Sequence, residues 1–240
     1  MMIIDNIHRV QQQIADACAR TGRDPQDVTL IAVSKTHPAE MVLAAVSAGL
    51  QHFGENRVEE SESKIPVVNA KTAQPLVWHM IGHIQSRKAR EVVPLFNVVH
   101  SVDTLKLASR LASFSAEQGR TLDVLLEVNV SGEAAKHGFA AAGWEDNADL
   151  RQPLFQEFAR ILHLPGLRVR GLMTMAPIVD QMEQVRPVFR SLRRLRDALQ
   201  TELGQPLPEL SMGMTDDFPV AIEEGATFVR VGRAIFGDRE

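Results

Sequence analysis

The sequence predicts an α/β protein, a single (β/α)8 TIM barrel with an extra N-terminal helix, over its 240 residues. Three observations carry that expectation. Eight short apolar runs rich in β-branched residues recur along the chain, amphipathic helical patterns fill the gaps, and hairpin turn signals are mostly missing between them. Strands that alternate with helices in this way pair in parallel. Eight such units in about 230 residues match the size of a closed barrel, whereas an open doubly wound sheet rarely needs eight equally spaced units. No low-complexity stretch or Pro/Gly/Ser-rich linker divides the chain, so residues 1–240 are expected to form one domain.

Ile3, Ile7, Val10, Ile14 and Ala17 recur at three- and four-residue spacing, which predicts an amphipathic opening helix ending near Gly22. Thr29–Lys35 is an almost wholly apolar run and reads as a strand buried on both faces. Pro38 and Glu40 then start a helix with Val42, Ala45 and Val46 on one side and Gly49 as its stop. His52–Asn56 is the second strand, and the charged Arg57–Lys64 segment reads as a helix with a solvated face. Val77–Gly82 is the third strand, followed by a helix over Ser86–Val93. Asn97–Asp103 is the fourth, with a helix from about Thr104 to Gly119 behind it. Asp123–Val130, Arg168–Met175, Glu209–Gly213 and Thr227–Gly232 complete the eight strands. The longest helix, Gln181–Leu203, places Val185, Val188, Phe189, Leu192, Leu195 and Leu199 on one face.

Composition narrows the function. Apolar content of 45%, charged content of 23% and a net charge of −4 are those of an ordinary globular protein with no general attraction to nucleic acid or anionic membrane. Cys18 is the single cysteine, so no intrachain disulfide can form and a reducing compartment is expected. No signal peptide is evident and no apolar run is long enough to cross a bilayer, so a cytoplasmic protein is expected. His79 and His83 have i,i+4 spacing, but that spacing serves a zinc ion only on a helix, and this stretch reads as a strand; no metal is expected there. The arginines at 186, 190, 193, 194 and 196 read as a solvated helix face rather than a nucleic-acid surface. Neither a Gly-x-Gly-x-x-Gly fingerprint nor a Walker-type lysine loop is present.

Chemistry concentrates at two strand ends. Lys35 closes the first strand on the same face as Ile31 and Val33, where an α/β protein keeps its ligands. Desolvation there disfavours the ammonium and leaves an amine able to attack carbonyls, although a lysine after a strand is by itself more often a solvated loop charge. Near the carboxyl end, Ser211, Gly213 and Gly232 supply the small residues of a phosphate cradle in the loops after the seventh and eighth strands. Arg230 lies inside an apolar strand, which is costly unless it is paired with a ligand atom or a carboxylate. The first and last strands of a barrel are neighbours, which brings Lys35 near Arg230. An amine, a fixed cation and an anion cradle together suit a small molecule with an aldehyde at one end and a phosphate at the other. Pyridoxal 5′-phosphate (PLP) is such a molecule.

The same residues carry a resemblance. Leu30–Lys35, Phe53–Arg57, Trp78–Ser86, His100–Asp103, Val128–Glu133, Gly171–Met173, Ser211–Met214 and Val229–Gly237 occur in order along the chain. Together they resemble the pyridoxal phosphate homeostasis protein family, which shares the barrel of the alanine-racemase-like PLP fold. The resemblance implies Lys35 as the Schiff-base lysine, Arg230 at the pyridine nitrogen, and Ser211 with the Gly232–Arg233 backbone at the phosphate. It also implies Asn56, His79 and Met212 around the ring. Many relatives carry a small hydroxyl residue where this chain has Arg233; a backbone contact survives that change and a side-chain contact does not.

The resemblance further implies a non-catalytic PLP-binding protein of intracellular vitamin B6 homeostasis. The alternative is a PLP-dependent amino-acid racemase, which needs two bases on opposite faces of the substrate carbon. In the racemases of this fold the second base is a tyrosine, and this chain contains no tyrosine. An arginine at the pyridine nitrogen also keeps that nitrogen unprotonated and weakens the ring as an electron sink. A Schiff-base aldolase or sugar-phosphate barrel enzyme without PLP is the third class. Expected partners are PLP itself and, transiently, PLP-dependent apoenzymes; a monomer is expected, with no nucleic acid and no membrane. The Ser131–Phe139 loop, which holds Lys136 and His137, is expected to be solvated.

Overall fold

A computed structural model describes residues 2–237 and shows the barrel. Its elements are α1 (Met2–Thr21), β1 (Thr29–Val33), α2 (Ala39–Ser47), β2 (His52–Glu55), α3 (Val58–Ala70) and β3 (Val77–Met80). They continue as α4 (Ala89–Leu95), β4 (Val98–Val102), α5 (Leu105–Glu117), β5 (Leu122–Asn129), β6 (Phe139–Ala140) and α6 (Ala148–Leu162). The last are β7 (Leu167–Met173), α7 (Arg186–Leu203), β8 (Glu209–Ser211), α8 (Phe218–Glu223), β9 (Phe228–Val231) and α9 (Arg233–Phe236). The strands are ordered β4-β3-β2-β1-β9-β8-β7-β5, and a β4–β5 pairing closes the ring. Every pairing is parallel. The two-residue β6 adds to β5 outside the ring, with Val128 opposite Phe139.

Period-two alternation divides each strand between two environments. Ala32, Phe53, Trp78, Met80, Val124, Leu126, Val128, Leu210, Val229 and Val231 belong to the apolar shell between strands and helices. The alternate residues face the barrel axis. A Cβ added at Gly54 would lie 3.0 Å from both Ile31 Cγ2 and Ile81 Cδ1, so these three meet inside. Burying each large side chain of the shell contributes roughly 1.5–3 kcal/mol. Ile7, Val10, Ile14 and Ala17 of α1 are buried as their spacing predicts, Ile3 is half-buried, and Cys18 is buried as well. This helix packs on α8, α9 and α2: Asn6 Nδ2 donates to Ile235 O at 3.0 Å, and Arg23, just beyond the helix, donates to Ile222 O at 2.6 Å and Ala226 O at 2.9 Å.

Differences from the sequence reading are local. β1 stops at Val33, two residues short of Lys35, because His37 N–H donates to Ser34 O at 3.1 Å and turns the chain out of the sheet. α3 runs on to Ala70, and Lys64 is buried rather than solvated because carboxylates surround its ammonium. The arginine face of α7 is neutralised from within: Arg186, Arg190 and Arg193 all pair with the buried Glu224. Among the described residues, no helix is long and apolar enough to cross a membrane.

Candidate functional site

The carboxyl end of β1 delivers Lys35 on a loop that is held from both sides. Before it, Ser34 Oγ donates to Glu55 Oε1 at 2.7 Å, and Ser34 O accepts from Lys64 Nζ at 2.9 Å. After it, Thr36 N–H donates to Glu60 Oε1 at 2.7 Å. The Lys64 ammonium joins the two carboxylates, 3.0 Å from Glu55 Oε1 and 2.5 Å from Glu60 Oε1. Lys64 is only 7% exposed, so this network works in a low dielectric where an unpaired member is expensive. Burial raises the Glu55 carboxyl above its ordinary range, and the Lys64 ammonium pulls it back. Thr36 sits at φ 67°, a left-handed conformation that a β-branched residue adopts only when its surroundings impose it. Lys35, half-buried, is therefore fixed between two anchored neighbours on a strained turn.

Arg230 comes from the adjacent strand. β9 pairs with β1 so that Arg230 stands opposite Ile31, below the Lys35 turn, and Gly232 lies beside Val33. Arg230 is 5% exposed; its Nη1 donates to Ser211 Oγ at 2.5 Å and its Nη2 to Thr174 O at 2.9 Å. Burial lowers its pKa to about 10, against the opposing pull of Asp217 and Glu127, so it remains a cation at neutral pH.

From Arg230 a polar chain crosses the barrel. Ser211 Oγ is 2.8 Å from His100 Nδ1, His100 Nε2 is 2.8 Å from His79 Nδ1, and His79 Nε2 is 3.0 Å from His52 Nδ1. Burial, reinforced by the neighbouring His52, holds His79 at about 3; burial also lowers His100, with His79 and Arg230 adding to it. Burial likewise lowers His52. All three imidazoles are thus neutral at pH 7, each with one N–H and one acceptor nitrogen. A guanidinium can only donate, so the order that uses every donor runs outward. Arg230 donates to Ser211, Ser211 to His100 Nδ1, and each of His100 and His79 carries its proton on Nε2. This direction also turns the negative end of each dipole toward the cation.

The structure brings most, but not all, of the residues predicted for the site together. Lys35, Arg230 and Gly232 meet at the β1–β9 seam, and Ser211 and His79 join Arg230 through the interior chain. A phosphate contact from the Ser211 side chain therefore requires its proton to turn away from His100. Asn56 lies at the end of β2, and its Oδ1 is buried with no hydrogen-bond partner. Gly82 packs onto it so closely that a Cβ there would be 2.2 Å from Asn56 O. The Arg233 side chain turns to Asp216, with Nη2 2.7 and 2.6 Å from its two oxygens, while its backbone opens α9. A first helical turn presents amides that have no acceptor within the helix. Met212 stands apart: the residue after inward-facing Ser211 turns outward, and its side chain is wholly buried in the apolar shell.

Sequence reasoning passed over several participants. His52 and His100 continue the His79 chain, and Thr174 gives Arg230 its second acceptor. Glu127 of β5 is 5% exposed and inward-facing. Burial, with Asp103 adding to it and Arg230 opposing, raises its carboxyl to about 7. The usable signal was stagger. Gly54 pairs with His79, two residues beyond His52, and Val98 pairs with His79, two residues before His100. The Ser131–Phe139 loop is largely exposed, as expected, although Lys136 is half-buried, donating to Met175 O at 3.0 Å and pairing with Glu133.

Comparison with known proteins gives a consistent set of relatives. The family profile "Alanine racemase, N-terminal domain" matches residues 6–240. The chain is 45% identical over 239 residues to the pyridoxal phosphate homeostasis protein of Pseudomonas aeruginosa, covering 99% of this chain and 96% of that one. It is 40% identical over 240 residues to the protein of the same name from Aquifex aeolicus, covering 100% of each. Among solved structures, PipY of Synechococcus elongatus with PLP bound matches with a TM-score of 0.79 and 37% identity, over 93% of this chain and 100% of that one.

Proposed function

The chain belongs to the pyridoxal phosphate homeostasis protein family, and from that premise we propose that it holds PLP at the carboxyl end of its barrel, joined to Lys35 as a Schiff base. The supporting observation is the seam itself: a lysine clamped on a strained turn directly above a buried, permanently charged arginine. Two further features fit the coenzyme. Asn56 Oδ1 is a buried acceptor awaiting a donor, and at Gly232 a Cβ would come within 3.2 Å of Val33 O, a tight contact that glycine avoids as its backbone runs close to β1. Lys35 Nζ would hold the aldehyde carbon, Arg230 would face the ring nitrogen, and the Gly232–Arg233 backbone and Ser211 would receive the phosphate. Bound PLP supplies a reactive aldehyde and an electron-withdrawing ring.

The protein stores and hands over PLP rather than turning over a substrate. A cationic Arg230 at the ring nitrogen prevents protonation there. His79 is neutral, has both nitrogens engaged, and lacks the basicity of a second proton acceptor. The carrier acts in the cytoplasm as a monomer, and PLP-dependent apoenzymes receive the coenzyme through transient contact. Borohydride reduction of the PLP-loaded protein followed by peptide mapping tests the reading. The label is expected on Lys35, and Lys35→Ala is expected to abolish the absorbance near ~420 nm. A label on Lys136, or colour in the alanine variant that survives dialysis, contradicts the assignment. Exchange of an amino acid's α-hydrogen for deuterium by the loaded protein would instead favour a racemase.

A further inference from the structure

Three consecutive strands of the barrel, β3, β4 and β5, each deliver one metal-binding side chain to the mouth: His83, Asp103 and His137. One ligand-capable atom of each lies within 4.8 Å of the other two. His83 Nδ1 is 3.1 Å from Asp103 Oδ2, and the His83 and His137 rings stack with centroids 4.0 Å and planes 15° apart. Two ligands of one tetrahedral ion, at bond lengths of about 2.0–2.1 Å, stand roughly 3.3 Å apart. The His83–Asp103 pair already has that spacing. Both histidines are exposed, so bringing the third ligand in takes side-chain rotation and no movement of the barrel. Lys136, next to His137 in the chain, does not compete, since it is turned to Glu133 and Met175 O. Glu127, electrostatically coupled to Asp103, adds a carboxyl group to the same region.

We propose that His83, Asp103 and His137 form a binding site for a first-row divalent cation of the zinc class. Two imidazole nitrogens and one carboxylate oxygen suit Zn2+, Co2+ or Ni2+, whereas Mg2+ and Ca2+ seek an all-oxygen shell. Three protein ligands leave a coordination position for water or for a donor atom of a small molecule entering the mouth. The ion ties the loops after β3, β4 and β5 together across the open end of the barrel.

The test is a titration of the chelator-treated full chain with Co2+, read from its visible ligand-field bands and reversed by Zn2+. One equivalent is expected to bind. His83→Ala, Asp103→Asn and His137→Ala are each expected to weaken binding at least tenfold, while His8→Ala, on the exposed side of α1, leaves it unchanged. X-ray absorption of the Zn2+-loaded natural chain, which is independent of how any variant folds, is expected to show two imidazole ligands. Failure of the natural chain to bind, or affinity that survives both His83→Ala and His137→Ala, overturns the proposal. The measurement needs no PLP, so its outcome is separate from that of the coenzyme assignment.

Discussion

Arg230 is held in place by its neighbours and stays a cation at neutral pH although burial lowers its pKa to about 10. Its two terminal nitrogens are satisfied by Ser211 Oγ and Thr174 O, and its charge is balanced at a distance by Asp217 and Glu127. Replacing it with methionine keeps the volume but strips the donors from both acceptors. Each buried acceptor left unpaired costs about 1–3 kcal/mol. With two acceptors stripped, Arg230→Met is therefore expected to lower stability by about 2–6 kcal/mol, measured by urea unfolding, and to weaken PLP binding at least tenfold, measured by fluorescence titration. At this scale the sequence was informative where chemistry breaks a pattern. An arginine within Phe228–Val231 and a lysine ending Thr29–Lys35 are visible as charges interrupting apolar runs. The left-handed Thr36 and the unpartnered Asn56 oxygen leave no such trace, because each is imposed by residues distant in the chain.

The loop between β1 and α2 depends on a helix that the sequence presents as a surface element. α3 carries Glu60 and Lys64 one turn apart, and that spacing alone reads as an exposed ion pair worth a few tenths of a kcal/mol. What the spacing does not reveal is that Glu55, at the end of β2, sits beneath them and is wholly buried. The pair thereby joins a triad in which Lys64 and Glu55 are buried and Glu60 is half-buried, and its loss has a different magnitude. Lys64→Met leaves Glu55 and Glu60 facing each other without a cation. Breaking a buried ion pair from one side costs about 3–5 kcal/mol. A loss of that size in thermal or urea unfolding is expected, together with slower reaction of Lys35 with PLP in stopped-flow absorbance, because Ser34 and Thr36 lose their anchors. A cost below about 1 kcal/mol would mean that the network is solvated. Other elements escaped notice for similar reasons. β6 is two residues long and exists only because β5 offers it an edge, and α9 is a single turn after Gly232.

Closure of the barrel collects ionisable groups that lie far apart in the chain into one interior, and the whole molecule's acid stability follows from their opposing shifts. The strand count and parallel order were legible from periodicity. The common interior was not, because it depends on the stagger between neighbouring strands. His79 has its pKa depressed to about 3, mainly by burial, from an ordinary 6.5. Below pH 6.5 the unfolded chain takes up a proton on this imidazole and the folded chain does not. The contribution is therefore fully present above pH 6.5 and is lost as pH falls toward 3, by about 1.4 kcal/mol per pH unit. His100, also depressed chiefly by burial, acts in the same direction. Glu127 acts in the opposite direction. Its pKa is raised to about 7 from 4.5, chiefly by burial, so the unfolded chain loses this proton first. Its contribution is present below pH 4.5 and lost as pH rises to about 7. Substituting each by a residue that cannot titrate separates the two. For His79→Gln, stability relative to the natural chain is expected to improve on acidification, by about 2 kcal/mol between pH 6.5 and 5. For Glu127→Gln it is expected to improve on going from pH 4.5 to 7, by a similar amount per pH unit. Urea unfolding of the three proteins across pH 4.5–8 measures both slopes. Parallel stability curves for the natural chain and His79→Gln would mean that the imidazole chain is hydrated and titrates normally, and that the polar line from Arg230 to His52 is not sealed inside the barrel.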